Sequence, residues 1–329
     1  MQSALKDIIL ETTEASEILH IEKIQDLWNG YGQILRLTLD THHEPSIIIK
    51  HVRFARNNQH PRGWSSDISH ERKIKSYQVE CQWYEHYTHR CITLCPMPTA
   101  LKILASNNET VLILTDMKQQ GFPTVRKSVN LHQAKNCLRW LANFHAFFMQ
   151  EKKGSLWSEG SYWHLATRTE ELDALNDTTL KEAAAIIDSK LSHSPYQTLI
   201  HGDAKLANFC FSDDTDDVAA LDFQYTGHGC GMKDVAYFIG SCFNASESID
   251  LETSLLTCYF EQLHQVLAQY HPHLNVDAIE QNWRPLYNFA CADFQRFLKA
   301  WCPNHWKTNQ YSEAITTRVL KQLKSERLI

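Results

Sequence analysis

The sequence predicts an α+β chain in two lobes, a small N-terminal antiparallel sheet lobe followed by a larger, mainly helical C-terminal lobe. Apolar β-type runs separated by turn signals fill the segment between Ile21 and Leu114. Helical periodicity takes over from Leu131. The 329 residues suffice for two lobes with a core each, and the division is expected at 1–118 and 119–329.

Composition narrows the class. Apolar residues make up 43% and charged residues 21%, the balance of an ordinary globular protein. A net charge of -6 and a pI near 6.3 argue against an extended basic surface for nucleic acid. Ten cysteines are scattered without a C-x-x-C pair, and eighteen histidines show no H-E-x-x-H pattern. The cysteines read as small buried apolar residues of a reducing compartment. No segment has the run of apolar residues needed to span a bilayer, and Met1 to His20 lacks a signal-peptide core. The expectation is a cytoplasmic monomer or homodimer without a membrane partner.

The elements follow in order. Ala4 to Leu19 carries Leu5, Ile8, Ile9 and Leu19 near helical spacing and predicts a helix. Ile21 to Asp40 reads as two strands around Asn29-Gly30-Tyr31-Gly32, where Gly30 and Gly32 would let the backbone approach phosphates. The same signal fits a plain hairpin turn. Ser46 to Lys50 is a β-branched run ending in lysine, and Arg53 to Asp67, with Pro61 and Gly63, is a polar loop. Leu101 to Leu104 and Val111 to Leu114 bracket a turn at Ser106 to Glu109, and the second strand runs into Thr115-Asp116-Met117. Gln119 to Lys127 reads as a linker.

Leu131 to Gln150 predicts a long helix through Leu138, Leu141, Phe144 and Phe148, with His145 packed beside them. Ser155 to Arg168 is rich in aromatics, and Glu170 to Leu191 predicts another helix. Gly227 to Gly231 reads as a sharply turning loop. Leu251 to Tyr270 and Val276 to Leu298 predict amphipathic helices, and a polar tail follows. Trp283, Tyr287, Asp293 and Arg296 recur at three- to six-residue steps and read either as part of a tryptophan-rich core or as aromatics and acids that would suit an organic cation or an apolar alcohol. Asp213 to Asp217 lacks the glycine and terminal glutamate of a calcium loop and reads as a solvated turn.

One stretch carries the chemistry. His201-Gly202-Asp203-Ala204-Lys205-Leu206-Ala207-Asn208 follows the run Thr198 to Ile200, and Leu221-Asp222-Phe223-Gln224 follows the run Val218 to Leu221. Ser212 to Asp217 is the turn of a hairpin between them. Asn208 and Asp222 would offer hard oxygens to Mg²⁺ on a nucleotide, leaving Asp203 to orient a hydroxyl.

HGDxxxxN followed by an apolar-Asp-Phe-Gln strand resembles the catalytic loop and metal strand of the protein-kinase-like small-molecule kinases. That superfamily includes aminoglycoside phosphotransferases and choline kinases, and the Asp-Phe-Gln ending is most similar to its ecdysteroid-kinase-like branch. The resemblance covers about Gln25 to Trp306 and implies a bilobal protein-kinase-like fold. It implies Asp203 as catalytic carboxylate, and Asn208 and Asp222 as metal ligands. Lys205 stands where protein kinases carry a lysine against the transferred phosphate; many aminoglycoside kinases have histidine there. Ser46 to Lys50 resembles the strand whose lysine grips the α- and β-phosphates. Its carboxylate partner is Glu71 or Glu80, and Tyr77, Tyr84 and Tyr87 at i-3, i+4 and i+7 point to Glu80 on the inward face. Asp116 and Met117 resemble the hinge that meets adenine, and Asp234 an aspartate that braces the catalytic loop.

The implied function is transfer of the γ-phosphoryl group of ATP, with Mg²⁺, to a hydroxyl of a small-molecule acceptor. A nucleotide-binding pseudokinase with a regulatory or scaffold role is the alternative. A metal-dependent hydrolase on His201, Asp203 and Asp222 would need a second metal's ligands, and none are visible.

Overall fold

The computed structural model describes residues 3–27, 30–54, 67–152 and 154–329. Asn29, Pro61 and Gly63 of the predicted turn and loop lie outside the described residues. The chain divides into two compact units, one of 1–124 with Cys210–Gln224, the other of 125–209 with 225–329. This differs from the contiguous division expected after residue 118.

In the first unit α1 (Ser3–Thr13) precedes β1 (Ile18–Asp26), β2 (Gly32–Leu39) and β3 (Ser46–Arg53). The predicted first helix is therefore cut short, and Leu19 lies in β1. Glu14 turns the chain into a left-handed conformation (φ 54°), and the Asp40 carboxylate takes the N–H groups of Ser16 and Glu17 at 2.9 Å each. Next come α2 (Asp67–His86), α3 (Thr88–Cys91), β4 (Ala100–Ala105), β5 (Glu109–Thr115) and β6 (Thr124–Val125). The main sheet is antiparallel in the order β1-β2-β3-β5-β4.

Strand alternation decides what each face carries. Ile47 and Ile49 of β3 join Leu37, Leu39, Val111, Ile113 and Ile9 of α1 in one core cluster. Val52, on the opposite face with Lys50, joins Tyr77 of α2, Leu27 and Tyr31 in another. Lys50 thus points to the α2 side because its neighbours Ile47 and Ile49 face the main cluster.

The second unit begins with α4 (Leu131–Phe147), α5 (Thr169–Asp173) and α6 (Thr178–Ser192). The single helix expected over Glu170 to Leu191 is broken because Asp177 caps α6, accepting the Leu180 N–H at 3.1 Å. Then comes β7 (Thr198–Ile200); the hairpin of β8 (Phe209–Phe211) and β9 (Val218–Ala220) falls almost wholly in the Cys210–Gln224 stretch of the first unit, and β10 (Gly227–Gly229) returns to the second. Gly227–Gly229 of the glycine-dense segment is a strand that pairs antiparallel with β7, and only Cys230 and Gly231 remain as a turn before the next helix. Four helices close the chain: α7 (Met232–Cys242), α8 (Ala245–Tyr270), α9 (Val276–Trp301) and α10 (Gln310–Ser325). The tail read as polar is therefore helical, burying Tyr311, Ile315, Val319 and Leu323 at four-residue steps.

Trp163, Tyr237, Phe294, Phe297 and Leu298 form a core cluster of this unit. Trp283, Tyr287, Asp293 and Arg296 are all buried. Arg296 donates to Asp293 at 2.9 Å and to the Trp163 carbonyl at 2.9 Å, so these four belong to the core rather than to an open wall. No helix among the described residues is long and apolar enough to cross a membrane.

Candidate active site

The first unit brings Lys50, Glu80 and Asp222 together. Lys50 Nζ donates to Glu80 Oε1 at 2.8 Å and to Asp222 Oδ1 at 2.9 Å. Glu71 is exposed, whereas Glu80 is 1% exposed. Burial works against the Lys50 charge, but Asp222 and Glu80 outweigh it and raise its pKa, so the lysine stays an ammonium. Burial raises the Glu80 pKa, with Lys50 opposing and the Asp222 charge adding to the rise. One ammonium between two carboxylates leaves surplus negative charge, and Glu80 Oε2 is buried without a hydrogen-bond partner among the described residues. Such a cluster fits a cation nearby, and the hard oxygens of Asp222 fit Mg²⁺.

The rest of the Asp-Phe-Gln motif holds Asp222 in place. Phe223 stacks on Trp83 at 4.8 Å and meets Tyr84 edge-on at 6.1 Å. Gln224 donates to Asp222 Oδ1 at 2.5 Å, while its own oxygen accepts from Lys73 at 2.7 Å and Ser76 at 3.2 Å. The sequence marks Gln224 only as part of the motif and gives Lys73 and Ser76 no role; the i, i+3, i+7 spacing of Lys73, Ser76 and Glu80 on α2 was the available signal.

The two turn glycines have reasons of their own. Gly30 takes φ 73° and donates to the Leu27 carbonyl at 3.2 Å. At Gly32 (φ 148°) a Cβ would stand 1.9 Å from the His51 carbonyl oxygen, so close strand pairing requires glycine. Asp116 is 2% exposed, and its carboxylate accepts from Arg36 Nε and Ser46 Oγ at 2.7 Å each, tying β2 and β3 to the end of β5. Burial alone would raise its pKa; the Arg36 and Ser46 hydrogen bonds win and lower it. The Met117 carbonyl accepts from Gln120 at 3.1 Å and Phe122 at 2.8 Å.

In the second unit the loop after β7 is held from below by Asp234 of α7. Asp234 accepts the N–H groups of His201 at 2.5 Å and Gly202 at 2.9 Å. His145 is fully buried between Asp234 at 3.2 Å and the Tyr259 hydroxyl at 2.8 Å, a packed histidine. Gly202 takes φ 78°, and a Cβ there would lie 2.1 Å from the Tyr225 carbonyl oxygen. Only glycine lets the loop turn that closely.

That turn presents Asp203, 5% exposed. Asp203 Oδ2 accepts from Lys205 Nζ at 2.8 Å and from Asn208 Nδ2 at 3.1 Å. Asn208 Nδ2 also donates to the Asp203 carbonyl at 2.8 Å. The amide nitrogen is thereby committed inward, and no described residue donates to Asn208 Oδ1, which suits a metal ligand. Tyr237 contributes its hydroxyl beside Asp203, a neighbour no sequence motif marked.

A sheet lysine paired with a helix glutamate, and a helical unit that braces an acidic loop, are parts of the protein-kinase-like fold. The sequence profile of the ecdysteroid kinase-like family matches residues 29–162 and 156–272, and the chain belongs to that family of kinase-like small-molecule phosphotransferases. Solved structures agree on the fold. A microcompartment-associated aminopropanol kinase is 14% identical with a TM-score of 0.56, over 99% of this chain and 99% of its own. A choline kinase from Cryptosporidium parvum Iowa II is 12% identical with a TM-score of 0.51, over 100% of this chain and 98% of its own. An amicoumacin kinase in complex with AMP-PNP and Ca²⁺ is 11% identical with a TM-score of 0.52, over 99% of this chain and 96% of its own. No curated protein sequence matches the chain significantly.

Proposed function

We propose that this protein transfers the γ-phosphoryl group of ATP to a hydroxyl of a small-molecule acceptor. The observation that carries the reading is the pair of buried arrangements, Lys50 with Glu80 and Asp222, and Asp203 with Lys205 and Asn208. The family membership and an amicoumacin kinase of this fold in complex with AMP-PNP and Ca²⁺ support nucleotide and metal use. Phosphoryl transfer asks little covalent chemistry of a protein, so positioning and charge neutralisation carry the rate.

Each side chain then has a task. Lys50, kept charged and oriented by Glu80, would grip the α- and β-phosphates. Asn208 Oδ1 and the Asp222 carboxylate would hold Mg²⁺, which when bound supplies charge neutralisation at the phosphate oxygens. Asp203 would align the acceptor hydroxyl and receive its proton late in the transfer. Lys205 would move from Asp203 Oδ2 to the charge developing on the γ-phosphoryl group. The backbone around Asp116 and Met117 would border the adenine, with the Asp116 side chain confined to its structural duty.

Asp203→Ala is expected to lower turnover about 10²- to 10⁴-fold while leaving Mg-ATP binding intact. The assay is ADP release over a panel of small hydroxyl compounds, paired with thermal-shift titration by Mg-ATP. Saturating nucleotide should stabilise both proteins, by about 2.7 kcal/mol at a hundred times the dissociation constant. Unchanged turnover in the variant removes Asp203 from the mechanism, and binding without turnover on any acceptor favours the pseudokinase.

A further inference from the structure

Behind Asp203 the second unit holds an aromatic cage with a cation already in it. Tyr237 of α7 and Phe294 of α9 pack with ring centroids 4.9 Å apart. Lys307 Nζ lies 4.4 Å from the Tyr237 centroid and 5.6 Å from the centroids of both Phe294 and Trp306. Aromatic faces converging on one ammonium are the arrangement that recognises organic cations. The main chain fixes the lysine there, because its carbonyl accepts from Gln295 Nε2 at 3.1 Å and Ser312 Oγ at 3.0 Å. Among the described residues its ammonium has no ion-pair partner.

The cage adjoins the proposed chemistry. Tyr237 presents its ring to Lys307 and its hydroxyl to both Asp203 and the Tyr162 hydroxyl, the latter at 3.2 Å. Resting on the reading of Asp203 as the carboxylate that orients the acceptor, we propose that Lys307 fills this cage with the chain's own cation, so that the acceptor is an alcohol without positive charge. A protonated or quaternary amine would meet a like charge where its aromatic partners should be, and like charges at contact repel. Burial already pushes Lys307 down to about 8 despite the pull of Asp203, with Lys205 adding to the fall, so a further positive charge beside it would be disfavoured. Lys307 is on this account a specificity-determining residue.

Choline and 3,3-dimethylbutan-1-ol share a shape and differ in charge, which makes them matched probes. Each is titrated by calorimetry into the full chain, into Lys307→Ala, which opens the cage, and into Lys307→Met, which fills it without charge. The native protein is expected to show no preference for choline. Lys307→Ala should prefer choline by about tenfold, the size of a desolvated cation–π contact, and Lys307→Met should gain nothing. Lys307→Ser serves as a second opening variant if the alanine protein fails to fold. A native preference for choline, or a folded opening variant that gains none, overturns the proposal. None of these arms needs turnover, so the phosphotransfer reading fails separately, through the Mg-ATP titration.

Discussion

Asp222 adopts a backbone angle of 69°, a region that a residue with a Cβ visits at a cost of about 1 kcal/mol. The strain turns its carboxylate toward Lys50 directly after a β-strand, and Gln224 and Phe223 keep it there. A second electrostatic tension lies elsewhere, at Asp188 of α6. Its carboxylate is 3.7 Å from His164 Nδ1, and Glu159 is 3.0 Å from the same nitrogen. Burial, aided by the charges of Asp293 and Glu159, pushes Asp188 up to about 6 against the pull of Lys233. A carboxyl raised on folding binds its proton more tightly in the native state. Stability therefore falls as pH rises from about 4 to about 6, and the penalty is complete above that window. Asp188→Asn should relieve it, stabilising the protein by ~2 kcal/mol at pH 7 and by little at pH 4. Urea melts at both values check this; an equal effect at both would show that the charge is not the cause.

At the scale of elements, the C-terminal helix is the clearest case of a structure hidden in a polar composition. Tyr311, Ile315, Val319 and Leu323 recur every four residues between charged and polar neighbours, so the stripe is narrow and overall hydropathy conceals it. Its start is marked by Asn309, whose side chain accepts from the N–H groups of Tyr311 at 3.1 Å and Ser312 at 3.2 Å. Asn309→Ala is expected to cost about 1 kcal/mol, visible as a lower urea midpoint with an unchanged slope. The same local chemistry at Asp177 broke what periodicity alone reads as one helix. The strands around Lys50 and the helix bearing Glu80 were legible because β-branched alternation and tyrosine spacing are local signals. The glycines of β10 were not: Gly227 is required by the Trp157 carbonyl, 2.4 Å from where a Cβ would be, and such proximity is a tertiary fact. Lys307 was invisible for the same reason, since its aromatic neighbours come from α7 and α9 as well as the adjoining Trp306.

At the scale of the whole molecule, the first unit is assembled from two separated stretches of chain. The Cys210–Gln224 stretch contributes Asp222 to Lys50, Phe223 to Trp83, and the Ala220 N–H to the Pro96 carbonyl at 3.1 Å. A fragment ending at Thr124 keeps the five-stranded sheet but strips Trp83 of a stacked ring and leaves Lys50 with Glu80 alone. It should melt with less cooperativity than the full chain, as followed by circular dichroism; an equally sharp transition would show that the second stretch adds nothing.

Vectorial synthesis gives the discontinuity of that unit a further meaning. A chain leaving the ribosome exposes Lys50 and Glu80 long before Asp222 is made, and domains ordinarily fold as they emerge. Here Lys50 is matched by one acid, Glu80, until the growing chain has passed Asp222. Completion of the lysine's surroundings is thus timed by a residue made 172 positions after it.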